Sequence, residues 1–528
     1  MHESDAVVIG AGHNGLIAAI ALADAGWDVT VLEAQDQPGG AVRSAQLTPG
    51  YVTDLFSAFY PLTQASPAFT DLDLDAHGLR WSRAPLAFGQ PAGPGDTQAA
   101  VVHPDPADTA AHLAGFDAHD GRTWLSLTEQ WATIRDGIIG TLFGPFPPMR
   151  AVTSLLRASG TADAVRLARF LLLPANRMVR ELFRSEQARL LILGNALHAD
   201  IPLDAPGSGL MGYLLTMLGQ DVGFPVPVGG AGELSAALVR RCAAAGGEVI
   251  CSTTVEEIEV RNGRAVGVVD AGGRHWPARR AVLADVAAPT LYTRLLPPSV
   301  VPSRILDDLE HFAWDTPVVK IDYALSGKIP WRSENLGGAG TVHLGGDMNA
   351  LARAGADLET GRIPRDPFLL FGQMTTADPT RSPAGTESAW SYSHLPRGVT
   401  DDEAAHELAE RMDAVLSAHA PGVSSLIVDR HLQTPRSLQD SDANLVGGAV
   451  NGGTAQLFQQ LVFRPTPGLG GASTPVRDLY LSSAAAHPGG GVHGACGANA
   501  ARAALAAHRT LRRPTTYLTR KAVQRLMR

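Results

Sequence analysis

The stretch Ser4 to Glu33, SDAVVIGAGHNGLIAAIALADAGWDVTVLE, decides the fold. Asp5 to Ile9 is a short apolar run of the kind that forms a buried strand, and GAGHNG follows at once. Leu16 to Ala25 reads as an alanine-rich helix stopped by Gly26, and Trp27 to Leu32 as the next strand. A strand, a glycine turn, a helix and a strand make a βαβ unit. Each glycine has a mechanical reason: Gly10 makes the tight turn, Gly12 admits a pyrophosphate to bare backbone, and Gly15 lets the helix pack on the sheet. His13 and Asn14 complete the loop, and the positive end of the helix favours phosphate. Glu33 closes the second strand, where a carboxylate accepts hydrogen bonds from an adenosine ribose and disfavours a 2′-phosphate. The ligand is therefore expected to be FAD or NAD, not NADP.

Composition sets the frame for that unit. The 528 residues are 45% hydrophobic and 18% charged, enough chain for two large domains or three ordinary ones and for a buried ligand. Glycine and proline number 56 and 36 without any period, which predicts many tight turns and excludes a collagen-like or low-complexity chain. A formal charge of −9 argues against a nucleic-acid partner. Cys242, Cys251 and Cys496 form neither a disulfide framework nor a zinc spacing, so no metal is expected. With no signal peptide and no unbroken apolar run of membrane-spanning length, the expected location is cytoplasmic. Two basic features leave room for peripheral membrane contact: eight arginines between Arg150 and Arg189, and a tail from Arg509 to Arg528 with seven basic and no acidic residues. Paired, solvated surface helices are the plainer expectation for the first, and an exposed tail for the second.

Four further stretches extend the argument. After Glu33, AQDQPGGAVRS carries Ala34, the pair Gly39-Gly40 for a second close backbone pass, and Arg43 to offset phosphate charge. Val228 to Gly232 (VGGAG) precedes a helix over about 233–245, then strands at Glu248 to Cys251 and Val255 to Val260, a hairpin at Asn262-Gly263, and strands at 265–270 and 279–284. Near the carboxyl end, DLYLSSAAAHPGGGVHGACGANAARAALAAH holds a strand at Leu479 to Leu481, three glycines after His487-Pro488, and an alanine-rich helix from Gly494 to His508. A glycine run opening a helix can set bare backbone against an anionic ring. Finally, lysine occurs only at 320, 328 and 521, so Lys320 within the strand pattern Val318 to Leu325 stands out.

Taken together, the glycine motifs resemble those of the two-dinucleotide-binding flavoproteins. The carboxy-terminal block, with TPGYVTDLFSAFYPL (48–62), PVVKIDYALSGKIPW (317–331), GTVHLGGDMNAL (340–351) and the run from Phe458 to Gly494, resembles the phytoene-desaturase-like branch of the FAD-dependent amine-oxidase superfamily, including its pyridine nucleotide-disulphide oxidoreductase domain proteins. One departure is LSSA at 481–484, with Ser483 where that pattern has glycine. The resemblance implies an α/β fold in which a Rossmann-like FAD domain (1–75, 225–300, 475–508) is interleaved with a mixed α+β substrate domain (76–224, 301–474) bearing a helical lid near 150–190. It implies FAD held by Gly10, Gly12, His13, Asn14, Gly15, Glu33, Ala34, Gly39, Gly40, Arg43, Val255, Gly490, Gly491 and Val492, with Val255 offering its backbone to adenine. It also implies hydride transfer from a substrate C–H bond to flavin N5, on a hydrophobic small molecule.

Catalytic candidates are fewer. Lys320 matches a lysine that such enzymes join through water to flavin N5, against the alternative of an edge-strand or ion-paired lysine. His487 flanks the glycine run, where a backbone-bonded turn histidine is the alternative for both it and His493. Cys496 is expected to be a packed small residue more than a reactive thiol. Amine oxidation and non-redox use of flavin in a polyene isomerase or scaffold are the competing functions. The absence of HExxH, nucleophile-elbow and P-loop patterns excludes metalloprotease, hydrolase and kinase chemistry.

Overall fold

A computed structural model describes residues 3–149, 153 and 161–509. The first sheet grows from the amino-terminal unit. Strand Ser4–Ile9 lies between Val29–Leu32 and His275–Ala284, parallel to both, and Glu248–Ile250 extends the sheet beyond Val29–Leu32. Every residue of Ser4–Ile9 and Val29–Leu32 is buried, the continuous apolar pattern of a parallel sheet covered on both faces. The inner half of His275–Ala284 also takes Leu479–Leu481 in parallel, while its outer half joins the antiparallel hairpin of Val255–Arg261 and Arg264–Asp270. The strands of this sheet thus come from three separated parts of the chain.

Helices His13–Asp24, Ala231–Ala244 and Ala495–His508 cover one face. The first begins at His13, not at Leu16, because the glycine loop itself supplies the first turn. Leu16, Ile17, Ile20 and Leu22 are fully buried there, each contributing about 1.5–3 kcal/mol by leaving water. Packing is closest where backbone meets backbone. A Cβ on Gly15 would stand 2.1 Å from the Gly10 carbonyl oxygen, and one on Gly497 would stand 2.0 Å from that of Asn14.

The second sheet is assembled in the order 427–433, 318–325, 387–394, 369–373, 339–344, 86–90, 100–101. It is antiparallel except where Ala339–Leu344 runs parallel to Leu86–Gln90. Helix Asp402–His419 packs on one face. Helices Ala118–Phe143, Glu186–Ala196 and Ser208–Asp221 enclose an apolar core against the other, with Trp124 fully buried and its indole N–H bonded to Gln220. Mixed sheets and helices of this kind match the expected fold class.

The arginine-rich stretch divides. Arg150 and Arg157 lie outside the described residues; of the rest, Arg169 and Arg177 share Glu181, Arg166 meets Asp163 and Arg189 approaches Glu186. These are solvated ion pairs, each worth little. The basic tail beyond Arg509 lies outside the described residues. Among those described, no helix is long and apolar enough to cross a membrane.

Gly497→Ala is expected to force the first and last helices apart, since the obstructing atom is main-chain oxygen. The expected cost is about 1–3 kcal/mol, read as a lowered urea midpoint; an unchanged midpoint would show that this contact is not tight.

Candidate functional site

A cavity of about 1110 Å³ runs between the two sheets. Of the residues expected to hold FAD or to act in catalysis, all but Gly15 and Gly39 line it, Lys320 and His487 included. Gly15 instead donates its N–H to Asp285 Oδ2 at 2.8 Å, and Gly39 bridges to Gly12 with its N–H on the Ala11 carbonyl. Both hold the wall in shape from behind.

At one end the first helix presents its amino terminus. Gly10 has φ +94°, a backbone conformation open to glycine, and a Cβ on Gly40 would come within 3.1 Å of the Gly12 Cα. Glu33 is fixed by N–H bonds from Ala11 (2.7 Å) and Gln35 (2.9 Å), which aim its carboxylate along the wall. Arg43 is tied to the carbonyls of Gly40 and Ser441 and lies over Phe56. Two acids absent from the sequence argument also line this end, Asp285 and Asp442. Burial pushes Asp285 up to about 8, with the charges of Asp442 and Glu33 adding to the effect. His13 is half-buried, and its buried Nε2 meets no partner at hydrogen-bond geometry, a polar atom on the wall. Bare backbone, a helix start, a ribose-directed carboxylate and an unpartnered ring nitrogen suit a dinucleotide.

Further along, Gly490, Gly491 and Val492 line the cavity beside the segment Val450–Gly452. That segment is clamped from both sides. Asp315 accepts N–H bonds from Val450, Asn451 and Gly453, while the fully buried Arg464 donates to the carbonyls of Asn451, Gly452, Gly453, Thr454 and Ala484. Ser483 donates to the Val286 carbonyl at 2.6 Å, so the serine ties two cavity-lining segments together. His493 is backbone-bonded as expected, to the Gly489 carbonyl and the Ala495 N–H. His487 is not: its ring nitrogens reach no partner at hydrogen-bond geometry, the ring edges onto Phe146 at 5.6 Å, and burial pushes it down to about 4, leaving it neutral. Cys496 is fully buried, does not line the cavity, and burial pushes its thiol up to about 12.

The second sheet forms the floor, where Val318, Lys320, Thr341, Leu370, Trp390 and Tyr392 face the cavity. Lys320 is on an inner strand, paired on both sides, so the edge-strand alternative is corrected. Its ammonium pairs with Asp322 and donates to the Asp54 carbonyl at 3.0 Å. Burial pushes the Asp322 carboxyl up, and the neighbouring Lys320 charge pulls against it. Gly372 leaves the space that the Trp390 indole fills, 2.4 Å from where its Cβ would be, and Trp390 stacks on Tyr392 at 5.9 Å. The roof is apolar: Leu142, Phe143, Leu171, Leu210, Leu214 and Phe224.

Comparison with known proteins agrees with this geometry. The pyridine nucleotide-disulfide oxidoreductase domain-containing protein 2 of Rattus norvegicus is 28% identical over 544 aligned positions, covering 94% of this chain and 93% of the relative. A phytoene desaturase (neurosporene-forming) of Cereibacter sphaeroides is 25% identical, covering 95% and 94%. Among solved structures, an oxidoreductase from Methanosarcina mazei overlays with TM-score 0.60 at 15% identity, covering 95% and 99%, and a putrescine oxidase with TM-score 0.58 at 18% identity, covering 96% and 98%. The model for flavin containing amine oxidoreductases matches residues 15–505, which takes in the first helix from Gly15 on, the later glycine loops, the clamped segment and the sheet floor. The chain therefore belongs to the flavin-containing amine oxidoreductase family, and the cofactor of this oxidoreductase is FAD, for which the cavity's dinucleotide-shaped wall is suited.

Proposed function

We propose that the chain dehydrogenates a largely apolar small molecule, removing hydride from a C–H bond and a proton from its neighbour to leave a C=C or C=N bond. The observation that carries this is the character of the cavity away from the nucleotide end, whose roof and floor are mainly leucine, phenylalanine and tryptophan. FAD, when bound, supplies the two-electron acceptor. The residues of the chain do the rest. The apolar walls hold the carbon skeleton and exclude water, so that orientation lowers the barrier. Lys320, tied to Asp322 and to the Asp54 carbonyl, is a fixed hydrogen-bond donor on the floor. Leu172, Leu457 and Leu461 line the cavity and are also 57%, 43% and 44% exposed, which marks them as its mouth. An apolar mouth suits entry of an apolar substrate.

Anaerobic addition of apolar isoprenoid or polyketide-like candidates to the yellow holoprotein is expected to bleach the oxidised flavin band and to yield a product lighter by two hydrogens. Bleaching by simple amines alone, with peroxide released on adding air, would transfer the assignment to an amine oxidase. Product isomerised without net oxidation would contradict dehydrogenation.

Cofactor affinity should depend on pH through Asp285. Its carboxyl, held up to about 8 beside the helix start, is protonated at neutral pH, and an adjacent pyrophosphate favours that neutral form further. FAD binding to the stripped protein then takes up a proton above pH 8, so affinity is expected to fall by up to about tenfold per pH unit there. Asp285→Asn should flatten the dependence. An equal slope in wild type and variant would place its origin elsewhere. The same sign applies to stability: with an ordinary value of 3.8 when unfolded, this acid weakens the fold progressively from about pH 4 to 8.

A further inference from the structure

A second polar cluster borders the cavity through His198 and Thr341, away from the nucleotide loops. His198, on the turn Leu197–Ala199, lines the cavity and its Nε2 is 2.7 Å from Nε2 of His343. Its Nδ1 makes no hydrogen bond among the described residues. His343 stands behind it on Ala339–Leu344, fully buried, with an Nδ1 that reaches no partner. The buried amide of Gln90 is also unpartnered on both atoms and meets the same turn of helix: a Cβ on Gly194 would lie 2.2 Å from Gln90 Oε1 and 2.4 Å from His343 Nδ1. Thr341, two residues before His343, lines the cavity and carries an unpartnered buried Oγ1. Apolar rings flank the pair, with Phe88 5.8 Å from the His343 ring and Phe224 6.4 Å from that of His198.

Polar atoms are not kept unpaired in an apolar cavity without a partner to meet. We propose that His198, held by His343, is a hydrogen-bonding subsite for one neutral oxygen function, a hydroxyl or a carbonyl, on an otherwise apolar substrate. The inference rests on the dehydrogenase assignment above and narrows its substrate class: a plain hydrocarbon leaves this end of the cavity unsatisfied. The paired imidazoles can serve either oxygen. When His343 donates from Nε2, His198 carries its proton on Nδ1 and donates to a carbonyl; when His198 donates from Nε2, its Nδ1 accepts from a hydroxyl. Burial pushes His198 down to about 3 and His343 well below its usual value, so the pair is neutral and offers no charge to a carboxylate. The titratable neighbour that acts on His198 is His394, and Asp200, two residues along the chain, is occupied by Thr316. The subsite is also distinct from Lys320. Register runs Lys320 to Tyr392 to Leu370 to His343, three strand spacings or about 14 Å apart.

The test uses the FAD-loaded enzyme and three probes of one length, n-decane, 1-decanol and 2-decanone, with binding read from perturbation of the oxidised flavin spectrum. Each affinity is compared with the probe's own transfer from water to cyclohexane, where no hydrogen bond is available. Decanol and decanone are expected to exceed that reference by at least about tenfold relative to decane, a difference of about 1.4 kcal/mol. His198→Leu should abolish the excess while leaving decane binding unchanged, and His198→Gln, which keeps a donor and an acceptor, should restore much of it. The wild-type comparison stands even if the leucine variant does not load FAD. Equal, reference-like binding of all three probes, or an excess that survives His198→Leu, would overturn the subsite while leaving the apolar dehydrogenase assignment intact. Failure of decane itself to bind would overturn both.

Discussion

The structure depends on a place where no side chain fits. At Gly15 a Cβ would lie 2.1 Å from the Gly10 carbonyl oxygen, and at Gly497 another would lie 2.0 Å from that of Asn14. Main chain therefore meets main chain on both sides of the first helix's opening turn. That contact seats the helix start against the ends of the central strands, so its unpaired N–H groups and positive end open into the cavity. Gly39, bridged to Gly12, brings the next loop onto the same point, and Asp285 closes the third side through its bond to the Gly15 N–H. The cofactor wall is a meeting of backbones from segments far apart in sequence.

The opposite wall is built by charge instead. Asp315 gathers the N–H groups of 450, 451 and 453 and Arg464 gathers the carbonyls of 451–454, so one short segment is held between two buried side chains that do not have to touch. Burial pulls Arg464 down to about 10, still a cation under ordinary conditions. Removing Asp315 would leave three N–H groups, and removing Arg464 five carbonyls, without these partners in the interior, a larger loss than that of a surface ion pair. The two walls leave an interior with an apolar roof, whose polar atoms gather at the nucleotide end, around Lys320 on the floor and at His198 and Thr341.

Much of the cofactor wall was legible because its constraints are local. A turn that requires positive φ, a helix that requires Gly10 to Gly15 beneath it, and a strand ending on Glu33 all write themselves within thirty residues, and the strand Leu479–Leu481 falls where its pattern predicts. What sequence could not supply is what register decides. Lys320 sits in a recognisable strand, yet only the order of the sheet shows that the strand is internal and the ammonium paired with Asp322. Asp285 and Asp442 look ordinary in sequence; their role comes from reaching the same cavity end from positions 157 residues apart. His198 and His343 meet across 145 residues, through a helical turn and a strand that no local pattern joins. For His487 a tight turn suggested a backbone bond; the Gly144 backbone does act on its ring, though outside strict hydrogen-bond geometry.

The central claim is that three separated glycine-bearing segments and Glu33 together hold a flavin dinucleotide. Calorimetric titration of the stripped chain with FAD, FMN and ADP tests it most directly. One FAD per chain, competition by ADP, and much weaker binding of FMN are the predicted results, because the wall engages the adenosine and pyrophosphate half as well as the ring. FMN binding as tightly as FAD, or no competition by ADP, would contradict the account.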